Sequence, residues 1–274
     1  MQDNFVLLLV LGLIAGVFAG MFGIGGGVVI VPALILLLSF TALQAVSTSL
    51  AALLLPVGIF AALSYYRAGK LSIRASAYVA VGLLLTSLIG ADIALNLPAS
   101  TLKQLYGLFL YYVAWRFAEP RVVWREYHTG EKVKIDAGAT VNNASDADHT
   151  SPIILFGLGL IAGIFSGMFG IGGGAIIVPL LVGFYKFDQK LANGTSLGAL
   201  LLPVGLPGVL RYYQAGELNI QVAIPIAFGL AAGGLVGARI ALGLPSLQVR
   251  RLYGIFLFFT GTWFILQPII TVAK

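Results

Sequence analysis

A block of 21 residues, GLIAGVFAGMFGIGGGVVIVP at positions 12–32, recurs as GLIAGIFSGMFGIGGGAIIVP at positions 159–179, with 17 positions identical. Each copy lies in an apolar stretch cut by the same glycine run, Gly23-Ile24-Gly25-Gly26-Gly27 and Gly170-Ile171-Gly172-Gly173-Gly174. The first stretch, 5–40, would make an unbroken helix of 36 residues, about 54 Å long at 1.5 Å per residue. That exceeds the ~30 Å apolar core of a bilayer, so the glycine run must interrupt it. The interruption puts unpaired backbone N–H and C=O groups at membrane depth, where they must face protein or a polar cavity.

Composition makes these stretches membrane segments. The 274 residues are 59% hydrophobic and 9% charged, against about 25% charged in soluble domains, and mean hydropathy is +1.00. A soluble globular enzyme is excluded, and too little polar sequence remains for a separate water-facing domain. The chain has no cysteine, which removes disulfides, thiolate catalysis, thiolate metal ligands and any relay of sulfur between thiols. A net charge of +6 would suggest nucleic-acid binding in a soluble protein. Here the cations sit in short loops between apolar runs, where they orient the chain in the membrane, and no nucleic-acid partner is expected. The opening Met1-Gln2-Asp3-Asn4 lacks the positive region of a cleavable signal, so Phe5 onward is expected to form the first membrane segment.

The offset of 147 positions that relates the two blocks also carries Thr48-Ser49 onto Thr195-Ser196, Pro56 onto Pro203, Gly90 onto Gly237 and Leu105-Tyr106-Gly107 onto Leu252-Tyr253-Gly254. The expected organisation is a first membrane repeat at 1–118, a polar cytoplasmic connector at 119–151 with ten charged residues, and a second membrane repeat at 152–274. His128 and His149, both in the connector, have no partner at metal-ligand spacing, so neither a metal nor a cofactor is expected. Apolar runs at 5–22, 28–40, 43–66, 73–95 and 102–117, and their counterparts, predict about five helical segments per half. The segment after each glycine run is short or re-entrant.

Basic residues in the loops choose the orientation of the halves. Four crossings per half make the repeats parallel and divide these residues five to five. An odd number inverts the second half, placing Arg67, Lys70, Arg74, Lys186, Lys190, Arg250 and Arg251 inside and Lys103, Arg211 and Lys274 outside. The expected fold is therefore an all-α, multi-pass integral membrane protein of two homologous halves arranged as an inverted repeat.

The candidate site residues follow from the repeated blocks. Gly25, Gly26 and Gly27, with Gly172, Gly173 and Gly174, let a ligand approach main-chain N–H groups, and the helix that follows each run would aim its positive end at an anion. The spaced glycines Gly16-x-x-x-Gly20 and Gly163-x-x-x-Gly167 read instead as helix packing. Thr48, Ser49, Thr195 and Ser196 stand about two turns before Pro56 and Pro203, whose missing N–H groups kink a helix. Their hydroxyls suit donation to oxyanions, or alternatively bond their own backbone or a neighbouring helix. Gln44 and Asn193 are further lining candidates. Asp92 and Arg239, ionisable residues at equivalent positions within apolar runs, are candidates for gating or coupling, or snorkel to the interface. No nucleophile with a base and no carboxylate cluster appears, so no enzyme activity is expected.

The paired FGIGGG-x-x-x-VP blocks, the TSL-x-ALLLPVG blocks, and the late GAD/GAR and LYG-x-F elements resemble the sulfite exporter TauE/SafE family of membrane permeases. The resemblance covers both halves and omits only the connector. It implies transport, commonly outward, of small sulfur oxyanions or sulfonates across the bacterial inner membrane, with the glycine and TS-x-x-x-x-x-x-P positions contributing to the site. The family often carries a basic residue after the late Gly-Ala. Here that residue is Arg239, but the first copy has Asp92, so a symmetric pair of cationic ligands is not expected. The alternatives are an anion channel and, from another class, a membrane scaffold. Partners are the lipid bilayer and a small anion, and the sequence leaves the oligomeric state open.

Overall fold

The computed structural model describes residues 5–56, 58–118 and 141–272. His128 and the other connector residues at 119–140 lie outside the described residues, as do residues 1–4 and Lys274. The chain is all-helical among the described residues. The first half forms α1 (Phe5–Phe22), α2 (Gly27–Leu38), α3 (Ala42–Ala52), α4 (Ile59–Arg67), α5 (Ile73–Asn96) and α6 (Ala99–Ala118). A single turn, α7 (Ala144–Ala147), follows in the connector. The second half forms α8 (Pro152–Phe169), α9 (Gly174–Gly183), α10 (Gln189–Ala199), α11 (Leu206–Gln214), α12 (Ile220–Gly243) and α13 (Ser246–Val272). Helix starts in the two halves are separated by the same 147 positions found in the sequence. Four helices, α1, α5, α8 and α12, are long and apolar enough to cross a membrane.

Each half thus has six helical pieces rather than about five. The apolar run 43–66 is divided, because α3 ends at Ala52 and α4 begins only at Ile59, with Pro56 between them. The proline ends the helix instead of kinking it, and α10 and α11 part in the same way around Pro203. Pro32 and Pro179, in contrast, are tolerated inside α2 and α9, in the second turn of each.

Helix starts are set locally. Thr41 and Gln44 form a reciprocal capping box at α3, and Ser72, Asp188 and Asn219 accept backbone N–H groups at the starts of α5, α10 and α12.

Two close helix pairs form the frame. α1 lies on α12 through small residues: a Cβ on Gly12, Gly16 or Gly20 would come within 2.2, 2.5 and 2.1 Å of the carbonyl oxygens of Ile226, Leu230 and Gly234. The rising numbers on both sides show that the two helices run in the same direction. α8 and α5 pair likewise, with Gly159, Gly163 and Gly167 against Val79, Leu83 and Ser87. Small residues matter here because lipid is as apolar as leucine, so association comes from close backbone approach and interhelical hydrogen bonds. Outward-facing positions such as Val6, Leu85, Ile153 and Phe228 remain exposed and apolar.

The end of the connector folds back on one face. Val141 pairs with Phe187, the Ala144 N–H donates to Gly69 O at 3.3 Å, and the Asp148 carboxylate accepts from Ser72 Oγ at 2.7 Å. Lys70 reaches Asn142 O and pairs with Asp188 at 3.8 Å.

Candidate functional site

The two glycine runs meet at the middle of the fold. In each, the first, third and fourth residues have positive φ: 72°, 77° and 99° at Gly23, Gly25 and Gly26, and 67°, 71° and 88° at Gly170, Gly172 and Gly173. Side chains are strained in this left-handed region, which explains the glycines at these six positions. Gly27 and Gly174 are glycine for another reason. They open α2 and α9 with helical backbone, and a Cβ there would lie 2.2 Å from Gly170 O and 2.3 Å from Gly23 O. The starts of α2 and α9 are therefore side by side. Among the described residues, the N–H groups of Gly25, Gly26, Gly27 and Val28, and of Gly172, Gly173, Gly174 and Ala175, have no protein acceptor. All eight residues are buried.

The Thr-Ser pairs secure this junction across the halves. Ser49 Oγ donates to Gly170 O at 2.8 Å, and Ser196 Oγ donates to Gly23 O at 2.7 Å. Thr195 Oγ1 accepts the Ser72 N–H at 3.2 Å, and Thr48 Oγ1 accepts the Asn219 N–H at 3.4 Å. All four side chains are buried. The serine protons are thus committed to the carbonyls of the opposite glycine run. Tyr65 and Tyr212 extend the arrangement by donating to Gly20 O at 3.0 Å and Gly167 O at 2.8 Å.

Pro56 and Pro203 are themselves exposed, in the breaks that follow α3 and α10. Just before them, Leu53 and Leu200 project between the runs, with Leu200 Cδ1 3.1 Å from where a Cβ on Gly25 would lie and Leu53 Cδ1 2.9 Å from the corresponding point on Gly172. A small apolar cleft lined by Ala19, Gly25, Leu53, Ala61, Leu200 and Gly234 opens next to the first run.

The remaining candidates are dispersed. Asn193 is fully buried and donates to Met21 O at 2.8 Å, next to the first glycine run. Gln44 instead closes the α3 cap and borders an open polar cleft with Phe40 and Gly216 to Gln221. Asp92 is ion-paired with Arg211. From sequence Arg211 is only a loop charge, because it lies 119 positions from Asp92. Arg239 lies exposed near the end of α12, so the structure does not bring Asp92 and Arg239 together. Among the described residues no group of acidic or histidine side chains could hold a metal ion.

Long apolar helices that end at glycine runs, buried main-chain donors at paired helix starts and a duplicated framework define a helical membrane transport protein. The chain belongs to the sulfite exporter TauE/SafE family, whose model matches residues 8–264. It is 27% identical to the probable membrane transporter protein YunE of Bacillus subtilis, over 97% of this chain and 99% of that one. It is 28% identical to the probable membrane transporter protein MJ0441 of Methanocaldococcus jannaschii, over 85% of each. YdhB of Bacillus subtilis, also a probable membrane transporter protein, is 25% identical over 89% of this chain and 94% of that one. No solved structure matches the chain.

Proposed function

We propose that this protein is a secondary transporter that carries small sulfur-containing anions, such as sulfite or sulfonates, outward across the bacterial inner membrane. The observation that carries this reading is the set of buried N–H groups at the adjoining starts of α2 and α9, which have no acceptor among the described residues. Such groups, reinforced by two helix dipoles, suit an anion with several oxygens. The family's name supplies the sulfur chemistry. Gly25 to Gly27 and Gly172 to Gly174 form the cradle, while Ser49 and Ser196 hold its shape and Thr48, Thr195 and Asn193 complete its walls. Pro56, Pro203 and the leucines beside them provide the joints that open and close it. Asp92 with Arg211, and Arg239, act nearer the ends of their helices.

An inverted arrangement of the halves fits this reading, and a chain of contacts supports it. Ser72 and Ser76, at the start of α5, bond Thr195, while neighbouring Ser196 bonds Gly23 at the end of α1. The end of α1 therefore points toward the face where α5 begins, and α8, which runs in register with α5, begins at that same face. Phe40, just after α2, shares a cleft with the residues that open α12, and α12 starts beside the start of α1. The α1–α2 pair then enters and leaves by one face as a re-entrant hairpin, and three transits remain per half: α3 with α4, α5, and α6. An odd count inverts the second half and keeps the seven-to-three division of basic residues.

Export of a monoanion down an inside-negative potential releases about 2.3 kcal/mol per 100 mV, so no coupling ion is required. The test is flux of labelled sulfite, sulfate, thiosulfate and a sulfonate in proteoliposomes, with potential and pH gradient set separately. Saturable, potential-driven flux with counter-exchange is expected. Non-saturating flux would make the protein a channel, and no flux of any of these ions would end the reading.

A further inference from the structure

The halves differ chemically beside their glycine runs. In the first half the cleft next to Gly25 is bordered by Ala19 and Gly234. At the matching positions the second half has Ser166 and Ser87. Ser166 is 1% exposed, and its hydroxyl has no hydrogen-bond partner among the described residues. Other buried serine and threonine hydroxyls are engaged: Ser49, Ser76, Thr86 and Ser196 on carbonyls, and Thr48 and Thr195 on backbone N–H groups. Ser87 donates to Leu84 O at 3.4 Å. A helical serine commonly turns its proton back to the carbonyl one turn earlier. Ser166 makes no such bond.

Placement says what that hydroxyl faces. Ser166 lies one turn after Ala162 on the same face of α8, and Ala162 O is 3.6 Å from where a Cβ on Gly173 would lie. In the first half the copy of Ser166, Ala19, brings its Cβ within 3.5 Å of the corresponding point on Gly26. This face of α8 therefore looks onto the start of α9. A buried hydroxyl and a row of N–H groups, all without an acceptor among the described residues, converge there. Together they call for a ligand that carries negative charge and offers several oxygens.

We infer that Ser166 Oγ and the N–H groups of Gly172, Gly173 and Gly174 form an oxyanion subsite that the first half does not duplicate. One anion is then anchored on the α8–α9 side of the shared cradle, and the apolar cleft beside Gly25 is not a second site. The inference rests on the anion-transport reading above, but binding and transport are measured separately.

The test is anion binding by the full chain in detergent, read as the shift in thermal unfolding midpoint with increasing sulfite, then sulfate, then thiosulfate. The wild type is expected to be stabilised saturably by at least one of them. Ser166→Ala should weaken that ion's apparent affinity about tenfold or more. Without ligand, the same variant should melt no lower than wild type, because it removes a buried donor that has no acceptor. Ser166→Gly serves as a second variant with the same expectation for binding. Unchanged affinity in both variants, or no saturable stabilisation of the wild type by any of the three ions, would overturn the subsite. Binding without flux in proteoliposomes would instead remove the transport reading and leave the subsite standing.

Discussion

Ser49 and Ser196 each spend one hydroxyl proton on a carbonyl in the opposite glycine run, at 2.8 and 2.7 Å. Without it, that carbonyl would stay buried with one partner fewer. Ser49→Ala and Ser196→Ala should therefore each destabilise the protein, by about 0.5–2 kcal/mol given the modest worth of hydrogen bonds within membranes. Thermal unfolding in detergent measures this. Thr48→Val loses a longer bond, 3.4 Å to the Asn219 N–H, and should cost less than either serine change; the reverse order would mean that the serine bonds do not hold the junction. Sequence shows why these residue types belong near a polar site. It does not show where the hydroxyls point, because the acceptors are 121 and 173 positions away. Ser166 was harder still to see, since alanine to serine between repeats looks like a neutral difference. Asp92→Asn breaks a partly exposed pair with Arg211 and should change stability by less than about 1 kcal/mol.

The glycine runs behave as elements because their six left-handed residues and two helix-opening glycines act together. Gly27→Ala and Gly174→Ala would push a Cβ to 2.2 and 2.3 Å from a backbone carbonyl oxygen, which cannot turn aside as a side chain can. Both should abolish flux or folding. Gly58→Ala meets only Leu197 Cδ2 at 3.5 Å and should fold normally. Expression, monodispersity and melting of the three variants check this, and equal tolerance would show that the runs are not in close contact. The runs were legible in sequence because an uninterrupted 36-residue helix is too long for a bilayer. The division of 43–66 into α3 and α4 was not, since a proline inside an apolar run reads equally as a kink or an end. In the structure α3 and α10 stop short of the prolines, with Leu53 and Leu200 closing their last turns and filling the space between the runs.

At the scale of the whole molecule, orientation decides how the two helix starts can serve one anion. In a parallel repeat α2 and α9 would enter the membrane from the same face. In an inverted one they approach from opposite faces, and a site between them can be reached from either side, as alternating access requires. The charges agree, because the face that carries Lys70 and Asp188 also receives the end of the connector. Ala68 and Ala215 offer a direct measurement. They are exposed copies of one another, each just after the fourth helix of its half, and the chain has no cysteine to remove. With Ala68→Cys and Ala215→Cys made separately, an impermeant maleimide added outside intact cells should label position 215 and leave 68 unlabelled until the cells are opened. Labelling of both from one side would make the halves parallel. The two helix starts would then share one entrance, and alternating access through the glycine junction would have to be abandoned.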